Sequence, residues 1–141
     1  MFHEVVDEPA ERTPAELHER YTEELAAAIE AVGVEQAATD SGLEASTLRA
    51  LLGGETPELT LQEASAVLAA AEDAPDAETI ATLARDELLM GMTTAVLDVE
   101  AVESGLDGRL EAREVQSKVE GRFPMTLEEF GLLYQFIESE K

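Results

Sequence analysis

Pro57-Glu58-Leu59-Thr60-Leu61-Gln62-Glu63 is met again, one residue shorter, as Pro124-Met125-Thr126-Leu127-Glu128-Glu129. Each stretch carries a threonine with a glutamate three residues on, the capping box that opens a helix by satisfying two otherwise orphaned backbone donors. Behind the first box Ala64, Val67, Leu68 and Ala71 recur at helical spacing, and behind the second so do Phe130, Leu133, Tyr134 and Ile137. The correspondence extends upstream. Glu44-Ala45 matches Glu111-Ala112, Gly54 matches Gly121, and Ser41-Gly42-Leu43 matches Ser104-Gly105-Leu106, after which the second copy inserts Asp107-Gly108-Arg109-Leu110. Turn residues and apolar pattern recur together, which points to one helical unit present twice. Two such units sharing a core in a pseudo-twofold arrangement would mimic a dimer within one chain.

The remaining segments also read as helix. Thr13-Pro14-Ala15-Glu16 is a helix start with proline at the first position. Leu17, Tyr21, Leu25, Ala28, Ile29 and Val32 follow on one face, and Gly33 stops it. Residues 35–40 and 44–52 read as two short helices. Residues 72–77 read as an acidic turn, and 78–98 as one long helix. That helix is apolar nearly all round from Leu88 to Leu97 and is expected to be central and buried, with Met90 and Met92 filling gaps in the core. No run of alternating β-branched residues suggests a strand. The expected fold is all-α: a compact multi-helix domain built from two helix-turn-helix-like repeats sharing one core. Residues 1–12 form a charged N-terminal arm, 13–73 the first unit and 74–141 the second.

Charge sets the chemical context. Nine basic residues stand against 32 acidic ones in 141, a formal net charge of −23, and only Lys118 and Lys141 are lysines. The acids are spread along the chain rather than held in a tail. This lysine-poor, alanine-rich balance resembles cytoplasmic proteins of haloarchaea that accumulate salt. The absence of cysteine excludes disulfide and thiol chemistry. Met1-Phe2-His3-Glu4 lacks the basic start and apolar run of a signal peptide, so a cytoplasmic location is expected. No apolar stretch is long enough to cross a bilayer, so no membrane partner is expected.

Residues 25–71 resemble the lambda-repressor/Cro type of helix-turn-helix domain through Ala38, Gly42-Leu43, Thr47-Leu48, Leu51, Gly54, Pro57 and Leu61. The resemblance implies that Ala38 lets two short helices approach, that Gly42 turns the chain, and that Leu43, Leu48 and Leu51 pin a recognition helix ended at Gly54. The whole chain also resembles a haloarchaeal family of small proteins with no assigned function. The resemblance implies double-stranded DNA as a partner, with bases read from the start of the recognition helix. The first copy offers Ser46 and Arg49 there, beside Glu44 and Glu55, and Val34 where the family often has a phosphate-contacting glutamine. The second copy offers Arg113 and Gln116, with Arg109, Lys118 and Arg122 nearby. Arginine and glutamine can make paired hydrogen bonds to guanine and adenine edges. The same cations could instead pair with neighbouring acids across helical turns. In that case the scaffold has lost its DNA contacts and serves another protein.

Enzyme chemistry is not expected. His3 and His18 read as surface residues, and no nucleophile elbow, phosphate loop or metal-spaced His/Cys cluster is present. Residues 98–107 miss the glycine that a calcium loop requires. No cofactor is expected.

The charge excess makes one prediction. Like charges destabilise a compact state, and the Debye length falls from about 10 Å at 0.1 M salt to about 3 Å at 1 M. The thermal midpoint followed by circular dichroism should therefore rise steeply from about 0.1 M to about 1 M KCl. An unchanged midpoint would remove the high-salt reading.

Overall fold

The computed structural model describes residues 2–141. Five of the eight α-helices among the described residues begin where a side chain accepts from one of the first free backbone amides. The Thr13 hydroxyl accepts from the Glu16 amide and starts α1 (Pro14–Val32). After it come α2 (Val34–Ser41), α3 (Ala45–Leu52) and α4 (Leu61–Ala69), the last opened by Thr60 and Glu63. Asp76 caps α5 (Ala77–Thr94), and Asp98 caps α6 (Val99–Gly105). Next is α7 (Ala112–Val119), and Thr126 with Glu129 opens α8 (Leu127–Ser139). Among the described residues the chain is all-α, with no β-strand and a single isolated bridge.

That bridge joins the two copies of the repeated stretch. The Leu61 amide donates to the Met125 carbonyl at 2.6 Å, and the Leu127 amide donates to the Leu59 carbonyl at 2.9 Å. Thr60 therefore faces Thr126, its own counterpart in the repeat. Leu61 and Leu127 are the first helical residues of α4 and α8, whose amides have no partner inside their own helices. Each copy satisfies the other's orphan donor.

The symmetry covers more than the repeat read from sequence. α1 and α5 occupy equivalent places at the head of each half, and Leu17, Tyr21, Leu25 and Ile29 correspond to Ile80, Ala84, Leu88 and Met92, all buried. Packing is partly exchanged between halves: α1 packs on α8 as well as on α2, α3 and α4, and α5 lies mainly on α4. The two equivalent contacts are filled differently. Tyr21 and Phe130 meet at 5.7 Å between ring centroids where α1 crosses α8. Their counterparts Ala84 and Ala64 are small and fully buried on α5 and α4.

Phe2 completes the aromatic side. It is fully buried, 5.5 Å from the Tyr21 ring in an edge-on arrangement and 6.2 Å from Phe130. Tyr134 stacks on Phe130 and donates its hydroxyl hydrogen to the His3 carbonyl at 3.2 Å. The charged N-terminal arm is thus docked on α8, because its buried apolar residues Phe2 and Val6 join the core, with Val5 packed against it. Burial raises the pKa of both the Tyr21 and Tyr134 phenols, with the Glu138 carboxylate adding to the effect at Tyr134, so both stay neutral.

Two expectations are corrected. The apolar run of the long helix is not buried all round. Leu88 and Met92 point inward, but Leu89 and Met90 are exposed, because α4, α7 and α8 cover only part of α5. Met90 therefore fills no gap in the core. The helix also ends at Thr94, four residues early. The Leu97 amide donates to the Met92 carbonyl and the Val96 amide to the Thr93 carbonyl, closing a Schellman turn. In α2, Ala37 is fully buried and Ala38 packs partly buried against the same core.

The Schellman turn puts Val96 at φ 56°, a left-handed conformation that β-branched residues resist, with 89 % of its surface exposed. The equivalent place in the first half holds Gly33, also at positive φ. Val96→Gly removes the steric strain and loses almost no packing, so it should stabilise the protein by about 1 kcal/mol in urea titration. A loss of stability would mean the valine side chain holds the turn. Phe2→Ala should cost about 3 kcal/mol in the same assay, as for other buried phenylalanines. A cost near zero would show that the arm is not part of the cooperative fold.

Candidate nucleic-acid interface

In the first half, residues 42–44 join α2 to α3, and Gly42 supplies the left-handed turn at φ 76°. Leu48 and Leu51 are buried, so α3 turns Ser46 and Arg49 to solvent. The Ser46 hydroxyl lies 3.4 Å from the Glu44 carboxylate, which leaves Arg49 as the cation of that face. In the second half, the corresponding connection runs over residues 106–111, so α6 and α7 are joined by a loop longer than a helix-turn-helix turn.

α7 buries Val115 and Val119 and therefore presents the opposite side to water. Arg113 and Gln116, nearly one turn apart, are both exposed there. Among the described residues Arg113 makes no ion pair, while the Gln116 amide donates to Glu120 at 3.3 Å. Lys118 leaves this face. Its ammonium bonds the Glu129 carboxylate at 2.5 Å and lies 3.6 Å from Glu114. Glu129 thereby serves twice, since its other oxygen accepts from the Thr126 amide in the capping box. Arg122 follows the helix, 69 % exposed in its side chain and 3.1 Å from Glu120.

The five residues singled out in the second copy are thus divided. Arg113 and Gln116 share the open side of α7. Lys118 and Arg122 line a cleft against α4 and α5, where they meet Arg85, a residue not singled out from the sequence. Arg109 borders a different cleft, with His18, Glu58 and Glu128. Arg85 was invisible because its nearness to Lys118 depends on how α5 packs beside α7, which local spacing does not encode. The repeat itself held the signal: α5 stands to the second unit as α1 stands to the first.

Residues 17–140 match a family of unknown function, DUF5791. The chain belongs to that family. The DUF5791 match takes in α2 to α8 whole and α1 from Leu17 onward, so it spans both halves of the twofold. No curated protein and no solved structure matches the chain. Among the described residues no helix is long and apolar enough to cross a membrane, and no group of His, Asp and Glu is placed to hold a metal ion.

Proposed function

We propose that this protein is a nucleic-acid-binding regulator that reads double-stranded DNA through the open face of α7, in a cytoplasm of high salt. The observation that carries the reading is the pair Arg113 and Gln116. They stand nearly one helical turn apart and exposed, and Arg113 has no ion-pair partner among the described residues. A cation that serves stability would be expected to pair, as Lys118 does. Paired hydrogen bonds from arginine to guanine and from glutamine to adenine need this kind of side chain on a helix that can enter the major groove. Ser46 and Arg49 on α3 offer a weaker second surface.

The net charge of −23 opposes approach to DNA at low salt. At molar salt the repulsion acts only over a few ångströms, about 3 Å at 1 M. Counterion release then contributes little as well, so contacts to base edges must supply most of the affinity.

A second reading rests on the other side of the second half. Leu83, Leu89 and Met90 of α5 are exposed together with Val96 beyond its end, an apolar surface suited to a protein partner. The two readings separate in one experiment. Chromatin recovered with the tagged protein from a halophilic host should give discrete sequence peaks with the wild type. Those peaks should be lost with Arg113→Ala/Gln116→Ala. Absence of peaks from a folded wild-type protein would overturn the DNA reading and favour the protein partner.

A further inference from the structure

The two halves share an order of helices and meet through equivalent residues, yet the clefts at equivalent places have opposite chemistry. Beside α7 a cleft of about 330 Å³ is lined by Gln62, Arg85, Lys118, Arg122 and Phe123, and none of its described lining residues is acidic. The repeat puts Glu128, Thr22, Leu51, Glu55 and Thr56 at the equivalent places, where they line two adjoining depressions on the other side. Two acids, two threonines and a leucine on one side thus correspond to three cations, an amide and an aromatic ring on the other. In a chain with nine basic residues, three converging on one small cleft is a strong local departure from the overall charge.

The cations differ in how they are held. Glu129 and Glu114 engage Lys118, and Glu120 engages Arg122; none of these acids lines the cleft. Arg85 is half-buried, with the Thr82 hydroxyl at 3.4 Å as its hydrogen-bond partner and no carboxylate within ion-pair distance among the described residues. Its guanidinium lies along the turn at Gly121, where a Cβ would come within 3.0 Å of Nε. Gly121 sits at φ 79° in a Schellman turn. The same turn at Gly54 has open space above it, because the equivalent side chain is the short Thr22.

Phe123 supplies the second element. The other described Phe and Tyr side chains are buried or half-buried, but Phe123 is 64 % exposed at the edge of this cleft. An exposed aromatic ring next to an arginine and a lysine matches a ligand with a flat ring and a phosphate. The guanidinium can take two phosphate oxygens at once, and any nucleobase offers a face to stack on phenylalanine. The volume lies at the small end for ligand pockets, which suits a single nucleotide and excludes a duplex.

We propose that this cleft binds a nucleoside phosphate. Arg85 grips the phosphate with Lys118 and Arg122 beside it, Phe123 stacks on the base, and Gln62 offers a hydrogen bond to either. The site does not rest on the DNA reading, because Arg113 and Gln116 take no part in it.

Calorimetric titration of the full chain with ADP at about 1 M KCl tests the site, with inorganic phosphate and uncharged adenosine as comparison ligands. ADP should bind saturably, and phosphate and adenosine each more weakly. Arg85→Gln should weaken ADP by about tenfold or more, as loss of a charge-assisted bidentate contact does. Phe123→Ala should weaken ADP and leave phosphate unchanged. Arg122→Gln, at an exposed position where misfolding is not a concern, should also weaken ADP. Failure of ADP to saturate below about 10 mM, or equal affinity in wild type and in folded Arg85→Gln and Arg122→Gln, would overturn the proposal. The titration and the chromatin recovery read different residues, so either can fail alone.

Discussion

Two peptide hydrogen bonds, Leu61 to Met125 and Leu127 to Leu59, fix how the halves of this protein meet. Each net bond is worth about 1 kcal/mol, but the amides involved are helix N-terminal donors on buried residues, and leaving one unpaired would cost about 1–3 kcal/mol. The capping boxes at Thr60 and Thr126 hold the neighbouring donors. Local and long-range satisfaction therefore coincide at one point on the pseudo-twofold. From that point α4 and α8 diverge, and each provides the floor on which the other half's first helix packs.

The exchanged packing makes the halves dependent on one another. α1 rests on α8 as well as on α2, α3 and α4 of its own half, and α5 rests mainly on α4, so one core runs through both halves. Cutting the chain between α4 and α5 would expose Leu17, Tyr21 and Leu25 on one piece and Ile80, Ala84 and Leu88 on the other. Two independent domains cut from a chain of this length would each bury a smaller share of their surface and be more marginal than one domain of the full length. Interlocking gives the same residues a single larger core.

Much of this was legible in the sequence because helix starts are local. Thr13, Thr60 and Thr126 each sit three residues before a glutamate, and α1, α4 and α8 begin at the next residue in every case. The repeat was readable from α2 onward, where glycine, proline and capping threonine recur. The α1–α5 equivalence was hidden because Ala84 stands opposite Tyr21, and a difference of that size erases the apolar likeness. The end of α5 was missed because valine occupies the left-handed position where glycine is the usual signal. The arm's burial was not legible because its apolar residues Phe2, Val5 and Val6 outweigh its charges only once a pocket for them exists. For the candidate sites, spacing along α7 located Arg113 and Gln116. It could not separate them from Lys118 and Arg122, whose direction depends on α5 and α8.

Where the halves have diverged, they have done so under different constraints. In the core, the α1–α8 and α5–α4 crossings changed in matched pairs: Tyr21 with Phe130 on one side, Ala84 with Ala64 on the other. Residues in contact are energetically coupled, so a large side chain on one helix demands that its partner adjust. Phe2 then fills what remains on the aromatic side. The clefts obey no such rule. Glu55 and Arg122 follow identical Schellman turns at Gly54 and Gly121, and both side chains reach solvent, where exchange of one for the other costs the fold little. Lys118 is held by its ion pairs with Glu129 and Glu114, whereas Arg122 is free of any such packing demand. Three cations thus line one cleft where the equivalent places on the other side hold two threonines, a leucine and acids. The shared backbone holds both clefts in shape, and the side chains at their rims set what each can bind.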